Sequence, residues 1–184
     1  ILEAIEKLNH VPKDWRQDVQ RFVARSAEIL IESTRKKRNR RYGTLYPGIK
    51  TFPKLHIVTV FDSSASVQGE ELSQFFAEMG RLHKMEIKLT VIECDAQVQA
   101  VYDFDPKKPP EIHGRGGTAF APAFEEAKKH DPDGLIYFTD GENWDVEETK
   151  KPKYPVLWAI LKGYKSKYTW GAKITIEVKK RAHR

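Results

Sequence analysis

Short apolar runs alternate with amphipathic stretches of helical spacing along most of the chain. Leu55, Ile57, Val58, Val60 and Phe61 form a β-branched run without a turn residue, as expected of a parallel strand covered on both faces. Leu72, Phe75, Phe76, Met79 and Leu82 recur at helical spacing to about His83. Residues 89–94 and 98–104 read as a second and a third strand separated only by Asp95, Ala96 and Gln97. That connection is too short for a parallel crossover, so the two must pair as an antiparallel hairpin with the third strand at an edge. A helix is expected over 121–130, burying Phe124 and Ala127, and further strands over 134–139, 156–161 and 172–178, with Trp158 packed against the sheet. Upstream, Trp15, Val19, Phe22, Ser26 and Ile29 follow Pro12 at steps of three and four and predict an amphipathic helix to about Thr34. Ile1, Leu2, Ile5 and Leu8 give barely two further helical turns.

Strands alternating with helices predict a doubly wound α/β fold, with a mostly parallel six-stranded sheet in the order 3-2-1-4-5-6, helices on both faces and an N-terminal helical extension. Residues 1–50 are expected to form that extension with a basic connector, and 51–184 the main domain. The 184 residues, 40% apolar, suffice for one core of good size. The single cysteine, Cys94, excludes an internal disulfide and suits a reducing, cytoplasmic location, and no apolar run reaches the roughly 20 residues of a membrane span. The start at Ile1 rather than methionine points to an excised fragment.

A net charge of +6 and a pI near 9.3 admit an anionic partner. Arg35, Lys36, Lys37, Arg38, Arg40 and Arg41 place six cations in seven residues. They are either a nucleic-acid or phosphate contact or a solvated linker or helix end, and Tyr42 and Tyr46 could stack on bases or belong to a structured lead-in to the first strand.

The first strand runs straight into oxygen donors: Asp62, Ser64 and Ser66, at alternate positions of one short loop. Hard oxygen ligands of this kind suit Mg²⁺ or Mn²⁺. Downstream, Thr118 closes the glycine-rich loop His113, Gly114, Arg115, Gly116, Gly117, and Asp140 and Gly141 end the fourth strand. The helix after Thr118 is expected to turn its free N–H groups toward the same crevice. His113, Arg115, Gly116, Gly117, Gly141, Glu142 and Trp144 would form the rim. Glu142, Trp144, Asp145, Glu147 and Glu148 lie on an acidic loop that is either solvated or in contact with a partner.

The set Asp62-x-Ser64-x-Ser66, Thr118, Asp140-Gly141 resembles the metal-ion-dependent adhesion site of von Willebrand factor type A (VWA) domains. RRYGTLYPG, VIECDA, GRGGTAFAPAF, YFTDG, YPVLW and TWG extend the resemblance, from about Arg40 onward, to a VWA-like family of bacterial proteins often carrying a metallopeptidase-like domain upstream. Two departures are Ala65, where that family has glycine, and Ala119, where it often has an acidic residue. The resemblance implies Mg²⁺ or Mn²⁺ held by Asp62, Ser64, Ser66, Thr118 and Asp140, and a protein partner supplying an Asp or Glu, in some relatives beside a MoxR-type AAA+ ATPase. The rival readings are a metal-dependent hydrolase or part of a metallopeptidase-like protein, and nucleic-acid binding through the basic run.

Overall fold

The computed structural model describes residues 14–29, 32–39, 41–50, 55–62, 69–108, 117–142, 145, 149–164 and 167–177, with 28–29, 32–39, 43–45, 47–50 and 69–71 described by backbone alone. In chain order the elements are α1 (Trp15–Ile29), β1 (Glu32–Asn39), β2 (Gly43–Lys50), β3 (His56–Asp62), α2 (Gly69–Lys84), β4 (Lys88–Cys94), β5 (Val98–Asp103), α3 (Ala121–Lys129), β6 (Gly134–Thr139), β7 (Val156–Leu161) and β8 (Ala172–Ile176). Six strands form one sheet in the order β5-β4-β3-β6-β7-β8, all parallel except β5, which pairs antiparallel with β4. This is the expected doubly wound arrangement. Among the described residues no helix is long and apolar enough to cross a membrane.

The period of two along each strand divides the interior into two cores. Ile57 and Phe61 join Ile136, Phe138, Leu157 and Ala159 on one face, under α1 and α2. Val58 and Val60 join Leu135, Tyr137, Val156, Trp158 and Ile160 on the other, under α3. On that second face aromatic rings fill much of the space beside α3: Trp158 stacks on Tyr168 with centroids 4.7 Å apart, and Phe120, Phe124 and Trp170 pack around them. The Trp158 indole is fixed by an Nε1–H bond of 3.0 Å to the Trp170 carbonyl.

Helix α1 belongs to the first core: Trp15, Val19, Phe22 and Val23 are buried there, each contributing about 2 kcal/mol of apolar burial. It reaches the strand ends so closely that a Cβ on Gly134 would stand 3.1 Å from Ser26 Oγ and from Ile57 Cδ1. Buried Glu78 of α2 ties the two helices together, accepting from Gln20 Nε2 at 3.1 Å and from Arg81 at 3.0 Å.

The N-terminal region corrects two sequence expectations. Helix α1 ends at Ile29, not near Thr34, and the basic run is neither linker nor helix end: residues 35–38 lie in β1, which pairs antiparallel with β2. The YGTLYPG segment, expected as a structured lead-in, supplies most of β2. β-Branched and polar residues after Ile29, together with the Asn39–Gly43 pair closing a short loop, favour the hairpin over another helical turn. The residues before 14 and after 177 for which helix and strand were expected lie outside the described residues.

Candidate functional site

The chain leaves β3 for β4 on one side and later returns to β6 on the other, so the sheet's direction of winding reverses between β3 and β6. Crevices form outside the carboxyl ends of strands at such a point. Asp62 ends β3 and Asp140 follows β6, and both are buried, 1% and 3% exposed. The register pairs Phe61 with Phe138. Asp62 therefore lies opposite Thr139, one residue before Asp140, across a strand spacing of about 4.8 Å. Thr139 Oγ1 donates to Asp62 Oδ2 at 2.8 Å and accepts the Gly141 N–H at 2.9 Å. Asp140 Oδ1 accepts the Glu142 N–H at 2.9 Å, closing an Asx turn. Gly141 adopts φ of +83°, a conformation that favours glycine and lets the chain turn away immediately after the carboxylate.

Thr118 reaches this end of the sheet on a segment held on both sides. The N–H of Ala119 bonds the Asp95 carbonyl at 2.9 Å, and the ring of Phe120 is buried against Tyr137 with centroids 4.5 Å apart. Thr118 is half-buried, Gly117 is exposed, and among the described residues a Cβ on Gly117 would meet nothing within 4 Å. Of the remaining expected rim, Gly141 is buried and Glu142 exposed. Ser64, Ser66, His113, Arg115, Gly116 and Trp144 lie outside the described residues. In the basic run, Arg35, Lys36, Lys37 and Arg38 are placed by backbone in β1, Arg41 is exposed, and Arg40 lies outside the described residues.

The amino end of α3 differs from expectation. Its N–H groups are not free for a ligand. Asp145, 3% exposed, accepts the N–H of Phe120 at 2.7 Å and of Ala121 at 2.5 Å through one oxygen, and takes the Thr149 hydroxyl on the same oxygen at 3.3 Å. Pro122 has no N–H, and the Ala123 N–H bonds toward the Cys94 sulfur. Phe120 makes no side-chain cap, and no acidic residue stands in the first turn of α3, so a carboxylate 25 residues further along acts as its cap. The sequence placed Asp145 on a solvated or partner-facing loop. What could have singled it out is the helix start itself: A-F-A-P offers no capping side chain, so one has to come from elsewhere.

Cys94 lies beneath the crevice, opposite Asp62 in the β3–β4 register. Its thiol sits 3.5 Å from the Asp95 and Ala119 carbonyl oxygens. Burial above all, then the nearby carboxylates of Asp62 and Asp95, push its pKa up to about 12. The sulfur is thus a protonated packing group at neutral pH. Tyr137, fully buried with its hydroxyl lacking a partner among the described residues, is also pushed well up, by burial first and then by Cys94, Asp62 and Asp145.

Two buried carboxylates thus stand at the carboxyl ends of adjacent strands, with the Thr139 hydroxyl bonded to one of them, and Thr118 lies on the segment tied to Asp95 at the same end of the sheet. Among the described residues no three His, Cys, Asp or Glu side chains stand together as a metal cluster. A cation at this crevice would therefore draw on hydroxyls as well as Asp62 and Asp140. Such a donor set fits Mg²⁺ or Mn²⁺ and is poor for zinc or copper.

Residues 57–177 match the family model described as VWA-like domain (DUF2201). An uncharacterised protein of Thermotoga maritima is 30% identical over 132 residues, a stretch covering 70% of this chain and 33% of that relative. The chain thus spans about a third of that relative's length. A match of this extent, from the first central strand to the last, on a sheet of this order, makes the chain a member of the VWA-like domain (DUF2201) family.

Proposed function

We propose that this chain is a protein-binding module working through a divalent cation, Mg²⁺ or Mn²⁺, held by Asp62, Ser64, Ser66, Thr118 and Asp140. The observation that carries the reading is the pair of buried carboxylates, Asp62 and Asp140, at the carboxyl ends of β3 and β6 on either side of the reversal point. Two such carboxylates side by side repel one another and favour a site that takes up positive charge. Bound there, the cation would offer an open coordination position to an acidic side chain of a partner protein.

Thr139, Gly141, Asp145 and Gly117 support that task in different ways. Thr139 holds the Asp62 carboxylate in place through its hydroxyl, and Gly141 locks the hydroxyl in turn. Asp145 ties up the N–H groups at the start of α3, so an anionic partner finds no helix terminus to bind and depends on the cation. The same bonds steady the segment that carries Thr118. Gly117 has no described residue within 4 Å of where a Cβ would stand, which leaves room for an incoming side chain among the described residues. A partner in the cytoplasm, with a MoxR-type AAA+ ATPase as the class suggested by the family resemblance, fits a lone reduced cysteine.

The test is thermal unfolding with and without Mg²⁺. At 1 mM Mg²⁺ and a dissociation constant of order 0.1 mM, mass action adds about 1.4 kcal/mol, a rise of roughly 3–6 °C for a chain of this size. The rise should vanish in Asp62→Ala and in Asp140→Ala. A rise that persists in both variants would refute the site.

A further inference from the structure

We infer that the β1–β2 ribbon is a contact surface for single-stranded nucleic acid, a function separate from the metal crevice. The first observation is where the charge lies. Residues 32–50 hold seven of the chain's 32 Lys and Arg and one of its 26 Asp and Glu, leaving 25 of each sign elsewhere. The whole formal surplus of +6 therefore sits on one two-stranded ribbon, and the rest of the chain is balanced. A charge this segregated attracts polyanions through a local field, whatever the net charge of the surrounding protein.

The second observation is the backbone of that ribbon. Pairing passes from Thr34–Gly48 directly to Arg38–Pro47, so β1 carries Arg35, Lys36 and Lys37 where β2 has no residue to oppose them. Pro47 has no N–H to offer the ladder, which accounts for the break. The result is a bulge-like break in the backbone pairing on the most basic stretch. The third observation is aromatic. Tyr42 and Tyr46 are 54% and 59% exposed on the same ribbon, with ring centroids 5.2 Å apart. Exposed rings on a ribbon whose sequence is rich in cations are the two parts of a single-strand site, in which cations follow the phosphates and bases stack on the rings. Unstacked bases are available in a single strand and not in a duplex, which is why the tyrosines favour the former.

The experiment is fluorescence anisotropy of a labelled 20-nucleotide oligothymidylate titrated with the 184-residue chain, in EDTA, from 50 to 200 mM salt. If the six cations at positions 35–38, 40 and 41 each neutralise one phosphate, the slope of log K against log salt is about −4, a loss of roughly 300-fold over that range. Arg35→Gln, Lys36→Gln, Lys37→Gln and Arg38→Gln together should cut the slope to about −1.4. Tyr42→Ala and Tyr46→Ala should each weaken binding roughly tenfold with the slope unchanged, because stacking releases no counterions. Melting temperatures of the variants show whether each is folded, and the exposed tyrosine positions provide a test even if the quadruple variant is not. Absence of binding at 50 mM salt overturns the inference, and so does a slope that survives the quadruple substitution. Tighter binding to a 20-base-pair duplex, or to vesicles of anionic lipid, with both tyrosine variants behaving like the parent, overturns it too and assigns the ribbon to that surface instead. Loss of the Mg²⁺ response in Asp62→Ala without change in oligonucleotide affinity is the expected outcome if the two sites are separate. Concurrent loss of both in a folded variant contradicts it.

Discussion

Replacing Asp145 with alanine should destabilise this fold by far more than an ordinary loop substitution. The carboxylate is 3% exposed and bonds two backbone N–H groups at 2.7 and 2.5 Å, besides the Thr149 hydroxyl. Hydrogen bonds to a charged acceptor contribute about 1.5–3 kcal/mol each, and an unsatisfied buried N–H costs about 1–3 kcal/mol. The two bonds share one oxygen and are not additive. Asp145 also acts, with Asp62, on both Cys94 and Tyr137, so its removal relieves some repulsion between carboxylates. The net loss should be about 3 kcal/mol, which for 184 residues lowers the melting temperature by roughly 6–12 °C. Asp145→Asn keeps an oxygen acceptor and should lose only about 1 kcal/mol. Circular dichroism melts in EDTA, which removes any contribution from a cation, make the comparison clean. An alanine variant that melts within roughly 2 °C of the parent would show that α3 needs no remote cap.

Three further outcomes follow from particular residues. Gly171→Ala forces a Cβ to 2.6 Å from the Trp158 indole nitrogen at a φ of +83°, and the indole is held by Trp170; chemical denaturation should register a loss of about 3 kcal/mol, and a loss below about 1 kcal/mol would mean that the aromatic layer yields. Cys94, with its pKa pushed up to about 12, should react with a thiol reagent at pH 8 at least about a thousandfold more slowly in the native protein than in urea, and equal rates would contradict its burial. Burial, with Lys88 and His130 nearby, lowers the His56 pKa below 6.5 against the opposing pull of Asp133 and Asp103. Below pH 6.5 the unfolded chain then binds a proton that the native ring resists, so stability falls as pH drops through that window, and His56→Gln should show a shallower fall in melts between pH 5 and 8. An identical pH profile for the two proteins would remove His56 as the cause.

The central sheet was legible because its signals are local and redundant. The run from Leu55 to Phe61 is apolar on both faces, as only a doubly covered strand requires, and the three residues between β4 and β5 admit one connection. The positions of Asp62 and Asp140 followed from the same strands, since a strand end locates its next residue without knowledge of the rest. The β1–β2 ribbon was not legible, because neither strand has an apolar face whose alternation could announce it; cations in β1 mimic a linker, and Pro47 disguises β2. Asp145 was hidden for a different reason. Its partners are backbone N–H groups 24 and 25 residues away, and a sequence carries no pattern for a side chain that caps a distant helix. The place of α1 was open as well, because amphipathic spacing says that one face is buried and does not say against what; the structure sets it in the core shared with β7 and β8.

The most direct measurement of the central claim is an anomalous difference map from crystals soaked in Mn²⁺, collected at the manganese edge. A single strong peak is expected at the carboxyl ends of β3 and β6, within about 2.0–2.4 Å of oxygens from Asp62 or Asp140 and of hydroxyls from Ser64, Ser66 or Thr118, with no such peak in Asp62→Ala crystals. Crystals soaked at millimolar Mn²⁺ with no peak in that crevice, or a peak that persists unchanged in Asp62→Ala, would contradict it.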